Sequence, residues 1–534
     1  MGLLAYAKRS PLASALSASR PLSSVSLPAP MGSINTINAG GAFPDGDCLL
    51  RFNLIPAEYG LRVRLGSKEW CTGLTGGAVR AVMPFTAQTS ASNKVFATTS
   101  TGIWDVTASS ATPTQLVAFG TVDATSGYGS AAVMVTSAGH FLVYTDETNG
   151  AYIYTETSGA WTTLSVTGVS AANLVHVASW KNRLWFTERG TGSGWFLGLN
   201  SISGAATSQN FGARFKSGGE LVGLYNWTRD GASGMDDMLV AISSGGDVLA
   251  YQGTDPTSAS TFGLKAVWNI GAMPAGRAIA SDVGGDLLIA ARSGLVSMNE
   301  ILAGGSPQYV TAKVQNLWNK WMLTRASYRG WQMVQSPEDA TLIVLAPNGE
   351  AAPSDQFVMS LHSRVWSQYR DLQMGVCAAS YAGKVWYGTI DGTIRIMDGY
   401  TDGRSLADPT TTEPITYSLL TAFSDLGTPN VKRLHMVRPT FVSETASPTY
   451  SVQARYGWNL AEADAPTASA AVGPSDWDTA VWDVALWGED YSPTQNVNGL
   501  VGSGSICAIA IKGESSTRTI LTGFIPYWDT GGAL

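Results

Sequence analysis

The side chains best equipped for metal or nucleophilic chemistry are few and scattered. Cys48, Cys71, Cys377 and Cys507 lie far apart, and none belongs to a Cys-x-x-Cys pair. Zinc and redox sites use such a pair because it brings two thiolates to one ion or to each other. Four buried, reduced thiols are therefore expected. His140, His176, His362 and His435 form no His-x-x-x-His or His-Glu-x-x-His pattern, so none are paired on one helical face to grip a metal. Nucleophile elbows (Gly-x-Ser-x-Gly) and phosphate loops (Gly-x-x-x-x-Gly-Lys-Ser/Thr) are absent. Gly231-Ala232-Ser233-Gly234 and Gly284-Gly285-Asp286 are expected to be turns. Paired carboxylates could cleave a glycoside only at a defined separation in space, which spacing along a chain cannot supply. Thr155-Glu156-Thr157-Ser158-Gly159-Ala160-Trp161 approximates the Ser-x-Asp-x-Gly-x-x-Trp box of sialidases, one residue short, and that box is a turn element. No catalytic, cofactor-binding or metal-binding residue is assigned, no cofactor is expected, and the chain reads as a non-enzyme.

One aromatic pattern remains. Trp477, Trp482 and Trp487 recur every five residues. On a helix they would spiral around it, and on a strand they would alternate faces. Three uses stay open: indoles filling gaps between sheets, a sugar-binding platform, or a contact between subunits.

The elements that would position any site are β-strands. Of 534 residues, 45% are hydrophobic, only 14% are charged and 59 are glycine, a composition that excludes a disordered chain and a coiled coil. One theme recurs seven times: an apolar run, a glycine turn and a returning apolar run. Its copies open at Lys94, Gly139, Lys181, Asp237, Gly285, Ala340 and Gly383. They are separated by roughly 42 to 55 residues, the blade period of a propeller. Runs apolar on both faces suit strands sandwiched between neighbouring blades. Asn149-Gly150 and Asp391-Gly392 favour type I′ turns. Between Tyr309 and Thr324, the residues Val310, Val314, Leu317, Trp318 and Trp321 mark a helical stripe, expected to lie against the propeller.

Beyond Ala407 the texture changes. Asp408-Pro409-Thr410-Thr411-Thr412-Glu413-Pro414 reads as a linker. Alternating strands follow at Ile415–Leu419, Tyr450–Tyr456, Ile506–Lys512 and Thr519–Phe524. The expected fold is mainly β, a propeller of about six or seven degenerate blades with a C-terminal β-sandwich or platform and an extended N-terminal arm. The expected boundaries are a flexible arm over 1–32, a β-rich lead-in over 33–90, the propeller over 91–406 and the C-terminal β domain over 407–534. The basic, Ser/Ala-rich composition of Met1–Pro30 imitates a transit peptide, but Pro11, Pro21, Pro28 and Pro30 break any long helix, and an arm able to dock on a neighbouring subunit is preferred. The net charge is −7 and basic residues are not clustered, so tight nucleic-acid binding through phosphates is not expected.

Several segments taken in order resemble a known family. They are Leu27-Pro28-Ala29-Pro30-Met31-Gly32, Gly60-Leu61-Arg62-Val63-Arg64-Leu65-Gly66, Ala178-Ser179-Trp180-Lys181-Asn182-Arg183-Leu184-Trp185-Phe186 and Tyr251-Gln252-Gly253-Thr254-Asp255-Pro256. Lys432-Arg433-Leu434, Arg438-Pro439 and the Trp477–Trp487 segment complete the series. Together, from about Leu27 onward, the chain resembles the tail nozzle, or tubular tail, proteins of short-tailed bacteriophages. The resemblance implies a virion protein: a homohexameric ring at the distal end of the tail, attached below the adaptor and bearing tail fibres or spikes. Genomic double-stranded DNA would pass through the lumen without tight binding, toward the host cell envelope. The alternative is a carbohydrate-binding or glycan-cleaving propeller that recognises a receptor.

Overall fold

A computed structural model describes residues 22–38, 43–44, 46–231, 234–258, 260–304, 309–444, 448–466 and 492–531. Its elements are overwhelmingly strands, and six small sheets stand in a ring, the arrangement of a β-propeller. The first four are antiparallel and four-stranded, spanning Ala81–Ala118, Gly129–Thr163, Leu174–Asn210 and Leu221–Asn269. The fifth has three strands, Ala280–Val283, Asp286–Ala291 and Gly294–Ser297. The last joins Ala378–Tyr381, Lys384–Gly388 and Ile394–Met397 to Ser67–Cys71, a strand from far upstream that closes the ring.

A seventh blade-like unit stands between the fifth sheet and the last. Its four strands, Gln332–Ser336, Thr341–Ala346, Asp355–Ser360 and Trp366–Tyr369, are one end of a nine-stranded sheet. Side chains of its innermost strand stitch both neighbours: Gln335 Nε2 donates to Asp282 O at 2.7 Å, and Gln332 Nε2 to Ala378 O at 2.6 Å.

All seven apolar repeats form the middle hairpins of these units, and burial explains why. Asp286–Ala291 and Thr341–Ala346 are buried along their whole length, since each faces a neighbouring blade on both sides. Lys181 and Asn182 have φ of 45° and 55°, and Gly284 and Gly285 of 62° and 84°, the paired positive values of two-residue hairpin turns. Asn149-Gly150 and Asp391-Gly392 differ from the type I′ expectation, because only the glycine has positive φ (80° and 79°). Asp146 and Gly150 pair across a three-residue loop, and Asp146 Oδ1 accepts the Thr148 and Asn149 amides at 2.9 and 2.7 Å. The extra residues remove the need for two left-handed positions.

The expected helix exists as α1, Gln315–Arg325, with Trp318, Trp321 and Met322 buried. It lies beside the three-stranded fifth blade, where Trp318 Nε1 donates to Ala291 O at 3.1 Å. Its indoles also meet Phe357 of the next unit, with ring centroids 5.7 Å (Trp318) and 4.0 Å (Trp321) away.

The other end of the nine-stranded sheet belongs to a sandwich. Cys48–Phe52 pairs in parallel with Trp366–Tyr369 and antiparallel with Glu413–Thr421, which leads on to Cys507–Ser515 and Thr449–Tyr456. An eight-stranded sheet built on Lys432–Ser443 and Thr519–Thr530 faces it. Tyr417, Phe441 and Tyr450 meet between the layers, with centroids 6.2 and 4.8 Å apart. Ser23–Ser24 and Leu27–Pro28 pair with Thr519–Thr530, so this part of the arm is an edge of the sandwich. Residues 1–21, and the Trp477–Trp487 segment, lie outside the described residues.

Candidate functional site

The residues that precede the innermost strands converge at one mouth of the ring. Arg80 precedes Ala81, Tyr128 precedes Gly129, Arg277 lies just ahead of Ala280, and Arg329 just ahead of Gln332. Two ion pairs cross this mouth. Arg80 donates to Glu350 through Nε and Nη2 at 2.6 and 2.9 Å, and the Tyr128 hydroxyl donates to the same carboxylate at 2.9 Å. Arg277 donates Nε to Glu147 at 2.6 Å and Nη1 to Val222 O at 2.7 Å. Both arginines are almost fully covered, so these charge-assisted bonds act in a low-dielectric setting. A small cavity of about 40 Å³ lies among Arg80, Tyr128, Arg277 and Arg329 at this mouth.

Gly330 holds this belt close to its neighbour. Its φ is +104°, and a Cβ there would fall 2.6 Å from Val376 Cβ. His176 sits inside the ring against Tyr225, with centroids 5.3 Å apart. Burial above all, then the charge of Arg277, lowers its pKa to about 3.

A second concavity lies on the sandwich, between Leu27–Pro30, the Thr421–Leu426 turn and Ile506–Ile509, with a volume of about 700 Å³. Its rim carries Trp458, 48% exposed, whose ring meets Phe423 at 4.9 Å. Such apolar hollows with a few polar groups are the common form of ligand sites.

The residues singled out in the sequence do not gather at either place as a reactive cluster. All four cysteines are free and buried. Burial raises Cys71 and Cys507 to about 11 and Cys377 to about 12, and it also pushes the Cys48 thiol up. His140 lies against Thr86 O, His362 is exposed, and His435 Nε2 is 3.2 Å from Asp529. The sialidase-like stretch is the hairpin between Gly150–Thr155 and Ala160–Thr163, and Trp161 packs on Phe96 with centroids 5.1 Å apart. Gly284-Gly285 is likewise a hairpin turn; Gly231 and Gly234 end paired strands, and the two residues between them lie outside the described residues. No group of three His, Cys, Asp or Glu side chains placed to hold a metal occurs among the described residues. The members of this group leave no periodic mark in the sequence, because they are single residues in loops. The available signal was an arginine shortly upstream of several apolar repeats.

No protein-family model matches the chain, and no curated protein matches it.

Proposed function

We propose that this chain is a structural subunit of a virion, a nozzle protein whose copies form a homohexameric ring around a channel for double-stranded DNA. The observation that carries the reading is the nine-stranded sheet shared by propeller and sandwich. It joins the two through the Phe52–Gln368 pair and the contacts of buried Arg51, a continuity that suits the wall of a tube. The order of segments that resemble tail nozzle proteins supports the same reading. The chain's own axis is no route for DNA. A duplex whose major groove alone is ~12 Å wide would have to break the Arg80–Glu350 and Arg277–Glu147 pairs that cross the mouth. The lumen therefore belongs to the assembly, enclosed by several copies in head-to-tail contact. A net charge of −7 gives such a wall little grip on phosphate. Adaptor and fibres would bind the two ends of the ring.

Native mass spectrometry and negative-stain imaging of the purified chain test this. Six copies with six-fold averages are expected; a monomer at every concentration, alone and with an adaptor ring, refutes it. The second reading, recognition of a receptor glycan, is favoured by Trp458 at the rim of the sandwich hollow, an indole face available for a sugar ring. A glycan array with the wild-type chain and Trp458→Ala decides it: a hit lost on substitution supports the reading, and silence removes it.

A further inference from the structure

Beside the crossing ion pairs lies a cavity of about 190 Å³, and it gathers more positive charge than its acids neutralise. Arg277, Arg292 and Arg329 line it together with Glu147 and Glu220. Arg277 is matched by Glu147. Glu220 stands 4.0 Å from Arg277 and accepts the Gly190 amide at 3.0 Å. Arg292 spends its Nε on Met273 O at 3.2 Å and has no ion-pair partner among the described residues. Arg329 has neither a hydrogen bond nor an ion pair from its side chain among the described residues, and its Nε is buried without an acceptor.

The nearby end of α1 does not use Arg329. The Met322 carbonyl accepts from Ala326 N, the Arg325 carbonyl from Tyr328 N and from Trp331 Nε1, and the Ala326 carbonyl from Ala275 N. Three carbonyls at this helix end, of the kind a basic side chain would satisfy, thus already have donors, and none of those donors is Arg329. A buried guanidinium N–H without an acceptor is costly, and the cavity it lines is what an acceptor would fill. At ~30 Å³ per water, this volume holds one phosphate-sized ion with a few waters. The planar guanidinium fork matches the oxygen spacing of phosphate and carboxylate.

We infer that this cavity is a binding site for a small oxyanion, of the size of inorganic phosphate or a simple carboxylate, with Arg329 as its principal ligand and Arg292 as a second. The inference is independent of the nozzle reading, since it concerns an axial cavity within one chain.

The test is isothermal titration calorimetry and thermal unfolding of the full chain with sodium phosphate, then sodium acetate, against sodium chloride at equal ionic strength. Saturable binding of phosphate, acetate or both is expected, with a rise in the unfolding midpoint. Arg329→Gln should weaken it about tenfold or more, the loss of one charge-assisted contact, whereas the exposed Lys265→Gln should leave it unchanged. If Arg329→Gln does not fold by circular dichroism, Arg292→Gln serves the same comparison. Absence of saturable binding in the wild type overturns the inference, as does unaltered affinity in a folded arginine variant.

Discussion

Arg51 carries its charge through the interior on oxygen atoms alone. It is fully buried, and it donates to Ser367 Oγ at 2.9 Å, Pro30 O at 2.9 Å and Trp366 O at 2.7 Å. One side chain thereby ties the arm, the seventh unit and the sandwich together. Arg51→Ala strands Pro30 O and Ser367 Oγ, while Trp366 O keeps the Ile34 amide at 3.1 Å; it should cost about 3–5 kcal/mol, read as a lower midpoint in urea. His176 makes stability depend on pH. Its folded pKa of about 3 lies below the usual 6.5, so the unfolded chain binds the proton first. Stability from this group is present above pH 6.5 and falls as the pH drops toward 3. The expected loss between pH 7 and pH 5 is about 2 kcal/mol, and His176→Phe should flatten the profile in that window. The raised thiols predict slow chemistry: at pH 8 a disulfide-exchange reagent should leave all four cysteines untouched in the native chain and titrate all four in guanidinium.

At the scale of elements, ring closure depends on a strand borrowed from the N-terminal side. Ser67–Cys71 pairs with Ile394–Met397, so the two ends of the propeller are held by hydrogen bonds between distant parts of the chain. Pairing by the arm is tested by truncation. The unfolding midpoint of a chain lacking residues 1–21 is the reference for the comparison. Removing 1–32 strips Leu27–Pro28 from Thr519–Thr530 and the Pro30 acceptor from Arg51, and should lower that midpoint clearly. Equal stability of the two truncations would contradict the register described above. The short fifth blade shows a related economy: Tyr309 bridges Val296, and Val310 N donates to Leu295 O at 2.8 Å on the edge where a fourth strand would pair, in the segment that leads into α1.

At the scale of the whole molecule, the propeller and the sandwich share one sheet. Cys48–Phe52 bridges propeller strands and sandwich strands within a single sheet. Disruption of either side removes pairing from the other, so calorimetry should show one cooperative unfolding transition. Two separated transitions would mean that the shared sheet does not couple them. If the proposed hexamer forms, the ion pairs across the mouth imply a lumen outside the propeller axis, which six-fold images of the particle would display directly.

The apolar repeats were legible because the second and third strands of each blade are buried on both faces and must be apolar whatever surrounds them. The innermost and outermost strands were not. Gly129–Thr136 borders the channel and Thr207–Asn210 the rim, so each has a wet side and tolerates polar residues. The sandwich strands announced themselves by alternation, one face in the core and one in water. Local pattern could not reveal that Ser67–Cys71 closes a ring with residues more than three hundred positions away, or that one sheet serves two architectures. Nor could it gather Arg80, Glu147, Arg277, Arg329 and Glu350 at one mouth. Burial leaves its mark on each residue along the chain, whereas the meeting of distant loops depends on how the ring closes, and only the folded molecule specifies that.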